Sequence, residues 1–131
     1  DHHGANIHAD GESGMVVFDF DCYGYGWRAY DAAVFLWQLE ALLGFDRVGK
    51  ARTTRRWNAF LKGYARVRPL TDDELRATRY FVPIRRIWWM GLRVSQTVQV
   101  TGDAFIQDDW FDLNVGLIRR SVEQYKLDVT S

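Results

Sequence analysis

The sequence is poor in cysteine and proline. Cys22 is the single cysteine among 131 residues. This excludes an internal disulfide framework and a cysteine-based zinc site, and it fits a reducing, cytoplasmic setting. Only two prolines occur and no low-complexity tract, so an ordered chain is expected. Long apolar runs are missing too. The longest stretch without a charged residue is nine residues, 94–102, against the roughly 20 that a membrane-crossing helix needs, so no membrane partner is expected. Aromatic side chains are plentiful: six Trp, six Tyr and eight Phe, 15% of the chain. Side chains of that size bury large areas, and the length fits a single domain over residues 1–131.

The formal net charge is zero, but the charges are sorted. Residues 1–46 hold eight acids and one base, Arg28; residues 47–93 hold thirteen bases and three acids; residues 94–131 hold six acids and three bases. The middle block reads as Arg-rich helices with a solvated face, or as a basic surface that meets something anionic.

Two short β-prone runs, Ile7–Ala9 and Met15–Phe18, flank the turn-forming stretch Asp10-Gly11-Glu12-Ser13-Gly14, which predicts a hairpin. Residues 22–28, with Gly24 and Gly26, read as a loop. From about residue 29 the apolar period changes to that of a helix. Ala32, Phe35, Leu36, Leu39, Leu42 and Leu43 share one face, which ends before Gly44. Trp57, Phe60, Leu61 and Tyr64 mark a second helix. Thr71 followed by Glu74 is a capping-box signature that opens a long helix toward Val98. Pro83 predicts a kink or break in it. Trp88-Trp89-Met90 predicts that this helix is central. A last helix follows Asp108-Asp109, with Trp110, Phe111, Leu117, Ile118, Val122 and Tyr125 inward. The expected fold is mainly α with a small β-hairpin, divided into residues 1–28 and a helical subdomain 29–131.

The chemistry lies in the first 31 residues. Asp1 and Asn6 stand at the Asp-x-x-x-x-Asn interval of a kinase catalytic loop. There the Asp accepts the proton of the attacking hydroxyl, and the Asn turns its amide oxygen to magnesium. Asp19-Phe20-Asp21 follows the second strand. A hairpin brings its ends together, so Asp19 is expected to face Asn6 and to share one Mg²⁺ with it, an ion that suits few, hard oxygen ligands. His2 and His3 are adjacent and would point to opposite faces of an extended segment, which argues against a histidine zinc site. Cys22 reads as a small buried hydrophobe.

Residues 1–37 resemble the aminoglycoside phosphotransferase and homoserine-kinase-like branch of the protein-kinase-like fold. That family's loop reads His-Gly-Asp-x-His-x-x-Asn, and Asp1-His2-His3-Gly4-Ala5-Asn6 matches all but its first two residues. Phe18–Asp21, Gly24–Gly26 and Asp31–Ala33 match its second signature. The resemblance implies the C-terminal, helical lobe of a kinase-like fold. It implies Asp1 as catalytic base, Asn6 and Asp19 as magnesium ligands, and His3 and Asp31 as braces of the catalytic loop. It also implies ATP as phosphoryl donor and a small-molecule hydroxyl as acceptor. Asp21 stands where protein kinases have the Gly of Asp-Phe-Gly, which speaks against a protein-kinase activation loop.

No Gly-rich phosphate loop followed by a strand lysine is found, so the N-terminal nucleotide lobe is absent from these 131 residues. The chain is expected to be an inactive fragment of a longer phosphotransferase. An apolar face at the hairpin is expected to be exposed and able to support a homodimer. Two other readings are a non-catalytic, pseudokinase-like interaction module and an Arg-rich nucleic-acid-binding domain. Retention of Asp1, Asn6 and Asp19 argues against the first. The balanced charge and the lack of a base-reading motif argue against the second.

Overall fold

The computed structural model describes residues 4–9, 11, 14–20, 24–102 and 106–128. A 3₁₀ turn, Gly4–Asn6, leads into strand β1 (Ile7–Ala9), which pairs antiparallel with β2 (Met15–Val17) in the register Ile7 to Val17, His8 to Val16 and Ala9 to Met15. Four helices follow: α1 (Arg28–Leu43), α2 (Arg47–Ala65), α3 (Asp72–Thr101) and α4 (Asp108–Tyr125). The expected hairpin and helix order are therefore present. Gly11 and Gly14 take φ of +58° and +153°, the turn conformation that glycine allows without strain. No helix of the described residues is long and apolar enough to cross a membrane.

Helices α1 and α3 form the centre of the molecule: they pack on each other, α2 packs on α1, and α4 packs on α3. Ala29, Ala32, Ala33, Val34, Leu36, Trp37 and Leu39 are buried along α1. The small alanines let neighbouring backbones approach closely. Val82 of α3 completes the core cluster, with Trp57, Phe81, Trp89 and Tyr125 against its edge. Phe60 of α2 stacks on Phe35 of α1 at 4.5 Å between ring centroids. The central position expected of α3 is shared with α1. Trp89 does pack, against Trp37 and Trp110, but Ile84, Ile87 and Trp88 on the other side of α3 are exposed.

Pro83 neither ends nor breaks α3, which stays helical from Asp72 to Thr101. An interior proline costs about 3 kcal/mol. Here Pro83 is itself buried beside Val82, and the packing of α3 on α1 overrides the local preference. Two more expectations need correcting. Leu42 lies 70% exposed, and Phe111 is exposed edge-on to Trp110. The deepest positions of α4 are instead the polar Asn114 and Ser121, because charged groups of α3 and α1 face them. Asn114 accepts from Arg86 Nη1 at 3.3 Å. Glu40 of α1 accepts from Ser121 Oγ at 3.0 Å, from Gln124 Nε2 at 3.2 Å and from the Tyr125 hydroxyl. Burial pushes the Glu40 carboxyl up from the ordinary carboxylate range and the Arg86 guanidinium down from its ordinary value, since a low-dielectric site disfavours either charge.

The α1–α2 turn is held by Asp46, whose Oδ1 accepts from the Gly49 amide at 2.6 Å. Gly49 is buried so tightly that a Cβ there would lie 2.1 Å from the Leu43 carbonyl oxygen. The capping box of α3 is formed as expected: Glu74 N donates to Thr71 Oγ1 at 3.2 Å and Thr71 N to Glu74 Oε2 at 2.8 Å. That carboxylate also pairs with Arg28 Nη2 at 2.8 Å. The lone base of the acidic block thereby ties the start of α1 to the start of α3.

Candidate active site

The hairpin ladder runs one step past its strands. The Phe18 amide donates to the Asn6 carbonyl at 3.0 Å. Asn6, at the end of the 3₁₀ turn, and Asp19, the next residue after Phe18, are therefore neighbours at the same end of the hairpin. Asn6 is buried at 4% exposure, and Asp19 is exposed. Asp19 sits at φ +63°, a left-handed conformation uncommon outside glycine, though one that Asp tolerates better than most residues. Backbone strain of this kind concentrates at functional sites.

The Gly4 amide donates to Gln38 Oε1 of α1 at 2.7 Å, which ties the 3₁₀ turn to the helical body. Asp31 lies exposed in the first turn of α1, where helix polarity favours a carboxylate. Asp1 and His3 fall outside the described residues, as do His2, Asp21 and Cys22. The structure thus brings Asn6 and Asp19 together and places Asp31 nearby on the next element.

A cavity of about 690 Å³ opens beside Asp19. Asp19, Asp31, Arg28, Arg85, Trp27 and Trp88 are among the residues that line it. Its aromatic wall is held from α3: Trp27 stacks on Phe81 at 5.6 Å, and Tyr30 meets the same ring edge-on at 5.5 Å. Arg85 is 4% exposed. Its guanidinium carbon stands 4.2 Å from the Trp88 ring centroid, and its Nη1 donates to the Tyr30 hydroxyl at 3.5 Å. The cavity therefore carries Asp19 from the hairpin and Asp31, Arg28 and Arg85 from the helices.

Asp19 lines this cavity and Asn6 lies buried behind it; their carboxylate and carboxamide are both hard oxygen donors of the kind that suits magnesium. Among the described residues no three His, Cys, Asp or Glu side chains converge. His8 does not join Asn6 and Asp19; it lies edge-on to Phe18.

Sequence reasoning missed Gln38, Arg85 and the cavity's aromatic wall. Arg85 carried a signal: Val82, Arg85, Arg86 and Trp89 fall at i, i+3, i+4 and i+7, so two arginines occupy the register of a buried face. Gln38 carried none, since a half-buried glutamine on a core helix looks like any surface position.

A model of a phosphotransferase enzyme family matches residues 1–70. An uncharacterized protein of Deinococcus radiodurans is 41% identical over 100 residues, 76% of this chain and 28% of that protein. An uncharacterized protein of Synechocystis sp. is 34% identical over 111 residues, 85% of this chain and 28% of that protein. The chain therefore spans 28% of the length of each relative. No solved structure matches it.

Proposed function

The chain belongs to the phosphotransferase enzyme family, and on that premise we propose that it carries the catalytic loop and metal-binding hairpin of a kinase. The reaction moves the terminal phosphoryl group of ATP to a hydroxyl of a small molecule. The observation that carries this reading is the Phe18 to Asn6 hydrogen bond at 3.0 Å, which sets Asn6 and Asp19 side by side. Asn6, through its side-chain oxygen, and Asp19, through its carboxylate, would hold magnesium. When bound, that ion neutralises charge on the transferring phosphoryl group. Asp1, five residues before Asn6, accepts the proton of the attacking hydroxyl. His3 and Asp31 hold the loop in place.

The acceptor is neutral or anionic. Arg28 and Arg85 line the cavity beside Asp19, and residues 47–93 are strongly basic. A polycationic acceptor would meet repulsion from both.

The 131 residues contain no Gly-rich phosphate loop followed by a strand lysine. The chain by itself therefore does not turn over ATP, and a nucleotide-binding lobe is its required partner. Met15, Val16, Phe20 and Trp27 are exposed around the hairpin. They form the apolar surface against which that lobe, or a second copy of the chain, packs. Retention of ATP turnover by the purified chain, lost in Asp19→Ala, would refute this part.

The metal assignment is tested by paramagnetic broadening with Mn²⁺ as the probe ion. The expected result is early, joint loss of the amide signals of Asn6, Phe18 and Phe20, absent in Asp19→Ala. Broadening centred on the acidic start of α3 or α4 would overturn it.

A further inference from the structure

A second cleft, of about 740 Å³, lies at the far end of α1. It shares no lining residue with the Asp19 cavity. Glu40 lines one and Asp31 the other, nine residues apart on the same helix, or about 13 Å at 1.5 Å per residue. A ligand in one therefore does not occupy the other.

Three features of the second cleft are unbalanced. Lys50, Arg79 and Lys126 stand around it, all exposed, and none is in a salt bridge among the described residues. Thr53, 7% exposed, has its Oγ1 buried without a hydrogen-bond partner, and so does Gln124 with its Oε1. Buried polar atoms in folded proteins are nearly always paired. The third feature is the indole of Trp57, which lines the same cleft and stacks on Phe60 at 5.4 Å. The cleft's one carboxylate, Glu40, is 2% exposed and covered by Ser121, Gln124 and Tyr125.

These features describe the complement of one kind of molecule. Three cations outside any salt bridge among the described residues call for an anion with several acceptor oxygens. An amide oxygen accepts only, so Gln124 Oε1 calls for a hydroxyl donor, and the Thr53 hydroxyl can take either role. Trp57 offers a flat apolar face for a carbon ring. We propose that this cleft is a binding site for a phosphorylated polyol, such as a sugar phosphate, separate from the phosphoryl-transfer site. Its phosphate lies against Lys50, Arg79 and Lys126, its hydroxyls donate to Gln124 and Thr53 as these side chains turn their buried oxygens toward the cleft, and its ring covers Trp57. The site does not depend on the metal assignment at Asn6 and Asp19.

The test is an NMR titration of the 131-residue chain with glucose 6-phosphate, alongside glucose and inorganic phosphate. Glucose 6-phosphate should give saturable shifts at Lys50, Thr53 and the Gln124 side-chain amide. Lys50→Gln and Arg79→Gln, both at exposed positions, should each weaken binding about tenfold, as expected for loss of one charge-assisted contact. Thr53→Val should weaken it several-fold, and the two surface variants keep the test valid if that variant does not fold. No saturable shift, unchanged affinity in the Lys50→Gln/Arg79→Gln double variant, equal affinity for inorganic phosphate, or shifts centred on Asp19 and Tyr30 would each overturn the proposal.

Discussion

Asn6 and Phe18 are joined through their backbones at 3.0 Å, and this pairing leaves Asp19 to turn at φ +63°. A non-glycine residue in that region stores roughly 1 kcal/mol of strain. Asp19→Gly should therefore separate stability from function. Chemical denaturation should find the variant as stable as the parent or more stable, by up to about 1 kcal/mol, while Mn²⁺ binding is lost. A variant that is less stable yet still binds the ion would show that Asp19 serves the fold.

Glu40 makes folding depend on pH. Its carboxyl is pushed up in the folded state by burial, which outweighs the lowering from Tyr125, Ser121, Arg86 and Lys50. The folded chain then holds its proton more tightly than the unfolded chain does. Ionisation therefore costs stability as pH rises from the ordinary carboxylate value of 4.5 toward the higher folded value. Glu40→Gln removes that cost. Its new amide can donate to Gln124 Oε1, which lacks a partner, once the Gln124 amide turns over. Urea denaturation at pH 5, 6 and 7 should show the variant gaining on the parent as pH rises. A gain that shrinks toward pH 7 would contradict the sign.

Gly49 is fixed by space. A Cβ there would stand 2.1 Å from the Leu43 carbonyl oxygen and 2.6 Å from that of Gly44, and backbone atoms cannot rotate away. Gly49→Ala should cost about 3 kcal/mol, the upper part of the range for overpacking. Gly63→Ala, with nothing within 4 Å of its Cβ, should cost nothing, or stabilise α2 by up to about 1 kcal/mol. Thermal denaturation of the pair separates packing from helix propensity.

The hairpin, the four helices and the capping box were legible because each has a local cause: alternation, helical period, or a Thr71–Glu74 pair that bonds within one turn. The proximity of Asn6 and Asp19 was legible for the same reason, since a short hairpin needs no distant contact. Burial was harder to read. Apolar Leu42 and Phe111 fell on the expected faces yet lie exposed, because packing partners, which no local pattern specifies, decide which part of a face is covered. Pro83 shows tertiary packing overriding local preference. Polar Asn114 and Ser121 became the buried line of α4 because their partners, Arg86 and Glu40, sit 28 and 81 residues away. Gln38 and its bond to Gly4, across 34 residues, lay beyond any motif.

The shared metal site is tested most directly by a double-mutant cycle on Mn²⁺ affinity, measured by electron paramagnetic resonance, with Asn6→Ala, Asp19→Ala and both together. If both side chains hold one ion, each single change should weaken binding about tenfold or more, and the double variant should lose less than the two losses combined. Strictly additive losses, or a single change that leaves affinity untouched, would contradict a common site.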